Sequence, residues 1–174
     1  MITIEDSINL FSLKEKQILK KRCVSFSGSI DAPAKRSEKS KNYYVRQYIL
    51  NTDEDMKSII IKINNYLNEK LKNKIEFQGA WINKITNQTN KNDEFHTDAA
   101  DITFLMYLND EFTGGEYEYI ELENKKKKKL KPKKYLSIIT NKTIEHRVHP
   151  VLEGERYSMV FFYNFDKKIN KTLI

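Results

Sequence analysis

Between residues 75 and 165 the chain alternates short runs of β-branched and aromatic residues with turn signals, and no run of helical periodicity separates them. The predicted strands are 76–85, 101–108, 116–122, 135–140, 146–152 and 156–165. The intervening segments carry Gly, Asn, Asp or Pro, as at 109–115 and 153–155, which favours hairpins. Antiparallel strands of this kind are closed most economically as a sandwich or jelly roll, because closure removes or shortens exposed edges.

The first part of the chain predicts helices. Apolar residues recur at helical spacing from Met56 to Leu71, behind the N-cap candidates of 51–53, and predict a helix over 53–72. A shorter helix is predicted over 12–21, and 25–42, rich in Ser, Lys, Gly and Pro, is predicted to be a loop. We therefore expect an α+β fold, a double-stranded β-helix (a cupin-like jelly roll) with N-terminal helices packed on one sheet. A single domain over 1–174 would comprise a helical and loop region, 1–74, and a β-helix core, 75–168.

The charge and cysteine content exclude several classes of protein. The formal net charge is +7, but eight lysines lie between Lys125 and Lys134, so the basicity is local. A run of like charges is typical of a solvated loop rather than of a phosphate-binding surface. The one cysteine, Cys23, excludes an internal disulfide and a thiolate metal cluster. The sequence has no apolar N-terminal leader and no long uncharged apolar run, which predicts a cytoplasmic protein and no membrane insertion.

Two histidines and one aspartate form a candidate metal site. His96 and Asp98 are two positions apart, so in an extended backbone their side chains project to the same side and can reach one ion. His146, which opens a later predicted strand, can supply a second imidazole. Two imidazoles and one carboxylate leave open positions on an octahedral ion, which is typical of non-haem Fe(II) oxygenases and not of closed structural zinc sites. His149 competes with His146, but it has the opposite strand parity and precedes Pro150.

Arg156 marks a candidate anion site. It lies in a predicted strand of Val, Phe and Tyr residues, and Ser158 follows at the next position on the same face. A buried guanidinium is costly unless it meets an anion, and with a hydroxyl it can clamp a carboxylate. A salt bridge to an internal Glu or Asp is the alternative interpretation.

The motifs resemble a known family, the 2-oxoglutarate- and Fe(II)-dependent oxygenases of the prolyl 4-hydroxylase type. The resemblance covers about residues 81–165 and rests on five ordered blocks: His96-Thr97-Asp98, Thr103 to Asn109, Gly114-Gly115-Glu116, Lys131-Pro132-Lys133, and His146 to Val151 with Gly154 to Ser158. It implies a jelly-roll enzyme that uses Fe(II), 2-oxoglutarate and O2, with ascorbate as an accessory reductant. The reaction implied is hydroxylation of an unactivated C–H bond, with conversion of 2-oxoglutarate to succinate and CO2.

The resemblance also assigns roles to residues. The metal ligands implied are His96, Asp98 and His146, and the groups implied to bind the distal carboxylate of 2-oxoglutarate are Arg156, Ser158 and Tyr107. Many relatives carry a further co-substrate tyrosine about ten residues before the His-x-Asp motif, and this chain has none there. Either Thr86 or Asn87 takes its place, or the contact is absent.

The substrate is less constrained than the chemistry. The resemblance favours a prolyl residue in a peptide or protein, and free proline or another small amino acid is the alternative. The loops expected to select the substrate, 25–50 and 86–95, contain no recognisable motif. A nucleic-acid demethylase is disfavoured because Phe162 stands where repair oxygenases usually have a second arginine. An inactive binding scaffold is disfavoured because every expected ligand type is retained.

Two further groups of residues are predicted to be structural. Aromatic residues that alternate along the later strands are predicted to be core: Tyr117, Tyr119, Phe161 and Tyr163. Acidic residues near the lysine run are predicted to be solvated strand positions that face it: Glu116, Glu118, Glu121 and Glu123.

Overall fold

The structure is a computed structural model that describes residues 1–26, 29–31, 44–49, 53–89 and 94–166. The helices are α1 (Leu13–Val24) and α2 (Glu54–Leu71), and a single 3-10 turn spans Ile8–Leu10. The strands are β1 (Ile2–Asp6), β2 (Ser29–Asp31), β3 (Tyr44–Ile49), β4 (Ile75–Thr86), β5 (Ile102–Tyr107), β6 (Phe112–Gly114), β7 (Tyr117–Ile120), β8 (Lys127–Leu130), β9 (Leu136–Asn141), β10 (His146–Val148) and β11 (Val151–Phe165).

The strands form two antiparallel sheets. The large sheet has the order β1-β9-β5-β11-β4-β3-β2, and β6 pairs with β11 outside this path. The small sheet has the order β10-β7-β8. Side chains of both sheets meet in one buried cluster, which includes Leu105 and Val160 from the large sheet and Tyr117 and Tyr119 from the small one. The two sheets therefore face each other as the layers of a jelly roll, as the sequence predicts.

The helices cover the outer face of the large sheet. The apolar side of α2 buries Met56, Ile59 and Ile63 against that sheet. Helix α1 begins with a capping box, in which Ser12 and Glu15 satisfy each other's backbone N–H groups. The helix predicted over 53–72 is confirmed, and the one predicted over 12–21 is also present and continues to Val24.

The aromatic residues predicted to be core are buried, but on different faces. Phe161 and Tyr163 point to the outer face of the large sheet and pack with the helices. Tyr117 and Tyr119 point between the sheets. Successive residues of a strand point to opposite faces, so Val160, next to Phe161, faces inward with the two tyrosines of the small sheet.

Five strands were not predicted, and three of them lie in segments predicted to be loops or turns. Part of the lysine run forms β8, which pairs with β7 while its lysines stay exposed. The unpredicted strands are β1, β2, β3, β6 and β8. Strand β2 lies inside the segment 25–42 that was predicted to be a loop, and 27–28 and 32–42 lie outside the described residues.

The bounds of the last strands also differ from those predicted. The strand predicted over 146–152 is interrupted at His149 and Pro150, because proline has no N–H to donate to a ladder. The turn predicted at 153–155 is instead an irregularity within β11, whose register against β6 shifts between Val151 and Glu153. Among the residues that the structure describes, no helix is long and apolar enough to cross a membrane.

Candidate active site

Backbone pairing brings the three candidate metal ligands together. His96 and His146 form an antiparallel bridge, in which the N–H of each donates to the carbonyl of the other at 2.9 and 2.8 Å. Their rings lie 4.5 Å apart between centroids, and the Nε2 of His146 is 3.8 Å from Oδ2 of Asp98. One potential ligand atom from each of His96, Asp98 and His146 lies within 4.8 Å of the others. The structure thus gathers these three residues around one point.

Neighbouring groups orient each of these side chains. The Nδ1 of His96 is 3.0 Å from the carbonyl of Glu94, and the Nδ1 of His146 is 3.1 Å from the carbonyl of Ile144. A carbonyl only accepts, so each Nδ1 carries a proton, which leaves Nε2 as the ring atom that can bind a metal. The hydroxyl of Thr103 donates to Oδ2 of Asp98 at 2.7 Å. Two imidazole nitrogens and a carboxylate form a donor set that suits Fe(II).

The side chain of Tyr117 lies beside His146. Its ring stacks on His146 at 5.1 Å between centroids and 17° between planes, and its side chain is buried. This stack fixes the plane of the His146 imidazole. The contact of its Nδ1 with the Ile144 carbonyl would, by itself, leave the ring free to tilt. Sequence reasoning placed Tyr117 in the core, and no motif distinguished it from Tyr119.

Arg156, Ser158 and Tyr107 form a buried cluster, the candidate anion site. Arg156 is 1% exposed, and its guanidinium lies 5.1 Å from the centre of the Tyr107 ring. Its Nη2 donates to the Ser158 hydroxyl and its Nη1 to the carbonyl of Gly115, both at 3.5 Å. The Tyr107 hydroxyl is buried and has no hydrogen-bond partner among the described residues. Burial raises the pKa of Tyr107, so this hydroxyl stays a neutral donor, and the donors of this cluster suit a carboxylate.

Glycine is required where the chain passes Arg156. Gly114 and Gly115 both have positive φ, at 76° and 69°, which disfavours other residues. A Cβ on Gly115 would lie 3.2 Å from Cδ of Arg156, and one on Gly114 would lie 2.4 Å from the carbonyl oxygen of Pro150. The glycine pair therefore lets β7 start close to the anion site.

His149 is not part of the group formed by the three candidate metal ligands. Its Nε2 is 3.1 Å from Oε2 of Glu118, and the Nε of Arg147 donates to the same oxygen at 2.6 Å. Glu118 is 4% exposed, so the prediction that it is solvated is wrong, although its cross-strand partner is Lys129 of the lysine run. Burial alone would raise the pKa of Glu118, but hydrogen bonds and positive charge from Arg147 and His149 hold it below its ordinary value.

Neither Thr86 nor Asn87 lies in the anion pocket. Thr86 pairs with Glu155 and so faces the side of the sheet opposite to Arg156. Its hydroxyl accepts the N–H of Gln88 at 3.2 Å, within a tight turn. Asn87 is exposed in the same turn. Of the open alternatives for the missing tyrosine, the structure favours absence of a contact from this turn.

Comparison with known proteins identifies a family to which the sequence of this chain is similar. A family model described as the 2OG-Fe(II) oxygenase superfamily matches residues 61–164. No curated protein sequence matches the chain.

Solved structures share the fold. An oxidoreductase of the 2OG-Fe(II) oxygenase family from Burkholderia pseudomallei has a TM-score of 0.70 at 16% identity, over 94% of this chain and 85% of that one. A Trichoplax adhaerens prolyl hydroxylase in complex with a hypoxia-inducible factor peptide has 0.68 at 19%, over 96% and 84%. The viral collagen prolyl hydroxylase of Paramecium bursaria Chlorella virus 1 has 0.65 at 19%, over 95% and 90%. The predicted jelly-roll fold is thereby confirmed.

Proposed function

This chain belongs to the 2OG-Fe(II) oxygenase superfamily, and we propose that it hydroxylates a prolyl residue in a peptide or protein. Membership makes it a dioxygenase that uses Fe(II), 2-oxoglutarate and O2. Our proposal covers two points, namely which residues bind the metal and the co-substrate, and what the substrate is. Its main support is that three potential ligand atoms lie within 4.8 Å of one another and that the chain also buries an arginine, Arg156.

We assign the metal to His96, Asp98 and His146. The two Nδ1 contacts and the Thr103 hydroxyl aim these side chains before any ion binds, which reduces the reorganisation that binding requires. Fe(II) with 2-oxoglutarate and dioxygen supplies the oxidising power to hydroxylate an unactivated C–H bond. The chain itself contributes fixed ligands and a site lined by buried apolar side chains, which excludes water.

We assign the distal carboxylate of 2-oxoglutarate to Arg156, Ser158 and Tyr107. Arg156 brings a positive charge that complements the carboxylate, and the hydroxyls of Ser158 and Tyr107 add donors. The unmatched hydroxyl of Tyr107 supports this assignment, because a buried donor without a partner is destabilising unless a ligand satisfies it. Burial of the three residues orients the co-substrate and keeps it from exchanging with water.

Several structural neighbours support a prolyl substrate. The Trichoplax adhaerens prolyl hydroxylase holds a peptide of hypoxia-inducible factor. A Pseudomonas putida prolyl-4-hydroxylase has a TM-score of 0.69 at 11% identity, over 94% of this chain and 92% of that one. A prolyl substrate is stated of those proteins, and for this chain it is our proposal.

The test is substrate-dependent release of succinate, measured by mass spectrometry with Fe(II) and 2-oxoglutarate present. Proline-containing peptides should increase release and gain one oxygen atom. His96→Ala should abolish Fe(II) binding, and Arg156→Ala should raise the 2-oxoglutarate concentration needed for turnover. Arg22→Ala, which removes an arginine paired with Asp53 and Asp55 far from this pocket, is the matched control. Unchanged 2-oxoglutarate dependence in Arg156→Ala would contradict the assignment.

A further inference from the structure

The segment 94–98, which carries two of the candidate metal ligands, is attached to the small sheet through an isolated β-bridge. His96 pairs with His146 of β10 at this bridge, with hydrogen bonds of 2.9 and 2.8 Å, but the pairing does not extend into a ladder. A bridge fixes one point of a segment and leaves its orientation to side-chain contacts. Because the candidate ligands come from two separate pieces of the chain, these contacts decide how well the pieces stay together.

Side chains restrain the segment at both ends. The Thr103 hydroxyl holds Asp98 at one end, and the ring of Phe95 makes the contacts at the other. The centre of this ring lies 4.6 Å from Cζ of Arg147, on β10, and 5.1 Å from Nζ of Lys127, on β8. A cation within about 6 Å of an aromatic ring is attracted to its face. Phe95 therefore joins the segment to two strands of the small sheet.

Glu118 holds the guanidinium that faces Phe95. Arg147 and Glu118 are cross-strand partners, and their side chains share a face of the small sheet. The Nε of Arg147 donates to Oε2 of Glu118 at 2.6 Å, and Nε2 of His149 is 3.1 Å from the same oxygen. Glu118 is almost fully buried, whereas the Arg147 side chain is 29% exposed. A charge-assisted hydrogen bond to a buried carboxylate restricts the arginine, which would otherwise sample many rotamers.

These contacts lie directly behind the candidate metal ligands. Successive residues around a β-bridge point to opposite faces, so Phe95 and Arg147 lie on the face opposite to His96 and His146. A pivot of the segment that separates the two histidines therefore also draws the Phe95 ring away from the guanidinium. The cation–π contact and the spacing of the histidines are thus coupled.

This coupling has a consequence for metal affinity. A metal can bind only in molecules in which the ligands are gathered, as they are here, with their ligand atoms within 4.8 Å of one another. The apparent dissociation constant rises as the fraction of such molecules falls. Contacts that keep the segment on β10 therefore strengthen metal binding, although they lie outside the set of ligands.

We propose that Phe95, Arg147 and Glu118 are positioning residues, which hold the segment 94–98 on β10 and so set the spacing of the metal ligands. Arg147 contacts the Phe95 ring from β10, Lys127 adds a second cation from β8, and Glu118 anchors Arg147. This inference rests on the proposed function, because it takes the two histidines and the aspartate as the metal ligands. It goes beyond that function in assigning a role to residues that do not touch the metal.

The first experiment compares Phe95→Leu with Phe95→Tyr. Leucine keeps an apolar side chain but has no aromatic face, whereas tyrosine keeps the face. Fe(II) binding is measured by anaerobic calorimetry, and a thermal melt of each metal-free protein monitors folding. Phe95→Leu should weaken Fe(II) binding by about threefold to thirtyfold, the loss of one or two cation–π contacts, and Phe95→Tyr should restore it.

A spectroscopic measurement separates positioning from general stability. Co(II) is titrated in place of Fe(II), because its visible absorption depends on the geometry of its ligands. The spectrum of bound Co(II) should change in Phe95→Leu and should match the wild type in Phe95→Tyr.

A second variant, Glu118→Gln, tests the anchor. Glutamine has the same shape and can still accept a hydrogen bond from Arg147, but the bond is no longer between charged groups. Fe(II) binding should weaken by about threefold to tenfold. Lys129→Gln, which removes a charge from the exposed cross-strand partner of Glu118, is the matched control and should leave both the Fe(II) affinity and the Co(II) spectrum unchanged.

The outcomes distinguish this inference from the proposed function. Unchanged Fe(II) affinity in Phe95→Leu overturns the positioning role, and so does a lower melting temperature without loss of affinity, because the contacts would then only stabilise the fold. Failure of Phe95→Tyr to restore binding also overturns it, and unchanged affinity in Glu118→Gln overturns the role of the anchor. In these cases the metal assignment stands. If the wild type does not bind Fe(II), or if His96→Ala binds it equally well, the proposed function fails and this inference fails with it.

Discussion

Replacing Thr103 by Val tests whether the candidate metal site depends on an oriented carboxylate. The Thr103 hydroxyl donates to Asp98 at 2.7 Å from a position that is 5% exposed. Valine has the same branched shape, so the β5 ladder and the packing around it should persist. What the substitution removes is one hydrogen bond to a charged oxygen, worth about 1.5–3 kcal/mol.

The expected result is weaker binding of Fe(II) with an intact fold. A change of about 1.4 kcal/mol is tenfold in affinity, so the lost hydrogen bond corresponds to a decrease of roughly 10- to 100-fold. The assay is anaerobic isothermal titration calorimetry with Fe(II), accompanied by a thermal melt of the metal-free protein. Thr143→Val is the control, because it removes a hydroxyl that makes a 2.8 Å hydrogen bond to Asn141 on the exposed surface. Equal Fe(II) affinity in the two variants would refute the reasoning.

Three other predictions concern single side chains. His146→Ala should abolish Fe(II) binding in the same titration and His149→Ala should not; equal losses would contradict our choice of ligand. Tyr117→Leu should weaken Fe(II) binding by about threefold to tenfold while Tyr117→Phe retains it, because the ring stack with His146 contributes about 0.5–1.5 kcal/mol; identical affinities would exclude an orienting role. Burial raises the pKa of Glu15, but hydrogen bonds from Lys62 and the helix cap outweigh this and hold it at about 2. Glu15→Gln should therefore lower the free energy of unfolding by on the order of 3 kcal/mol at neutral pH, and in urea titrations this difference should shrink as the pH falls from about 4.5 towards 2; a constant difference would contradict the low pKa.

The three candidate metal ligands could be named from their spacing and from the motifs that resemble the family, although the pairing of His96 with His146 is what brings them together. The alternation of a strand brings His96 and Asp98 to one side, and only one later histidine has the parity to join them. Helix α2 could likewise be predicted from its own apolar periodicity. Naming the candidate ligands and placing α2 require no knowledge of which strands pair.

Features that depend on pairing were missed. Lysine has little preference for strands, and Lys127 to Lys129 adopt one because β7 supplies a ladder partner. Glu118 is buried because Arg147, from β10, lies opposite it. Tyr117 meets His146 through the same register. The contacts of Glu118 with Arg147 and of Tyr117 with His146 join residues on strands that are distant in sequence, and neither residue alone signals the other.

The position of β8 at the end of the small sheet suggests why the lysine run is tolerated. Within the part of the chain that the structure describes, β8 has β7 on one side and ends the sheet on the other. An open strand edge can template pairing with a second molecule, and lysines are a common defence against it. Two such edges would bring rows of ammonium groups to within about 5 Å of each other, the spacing of adjacent strands. The cluster of positive charge would thus keep neighbouring copies of a β-rich protein from joining into continuous sheets and aggregating.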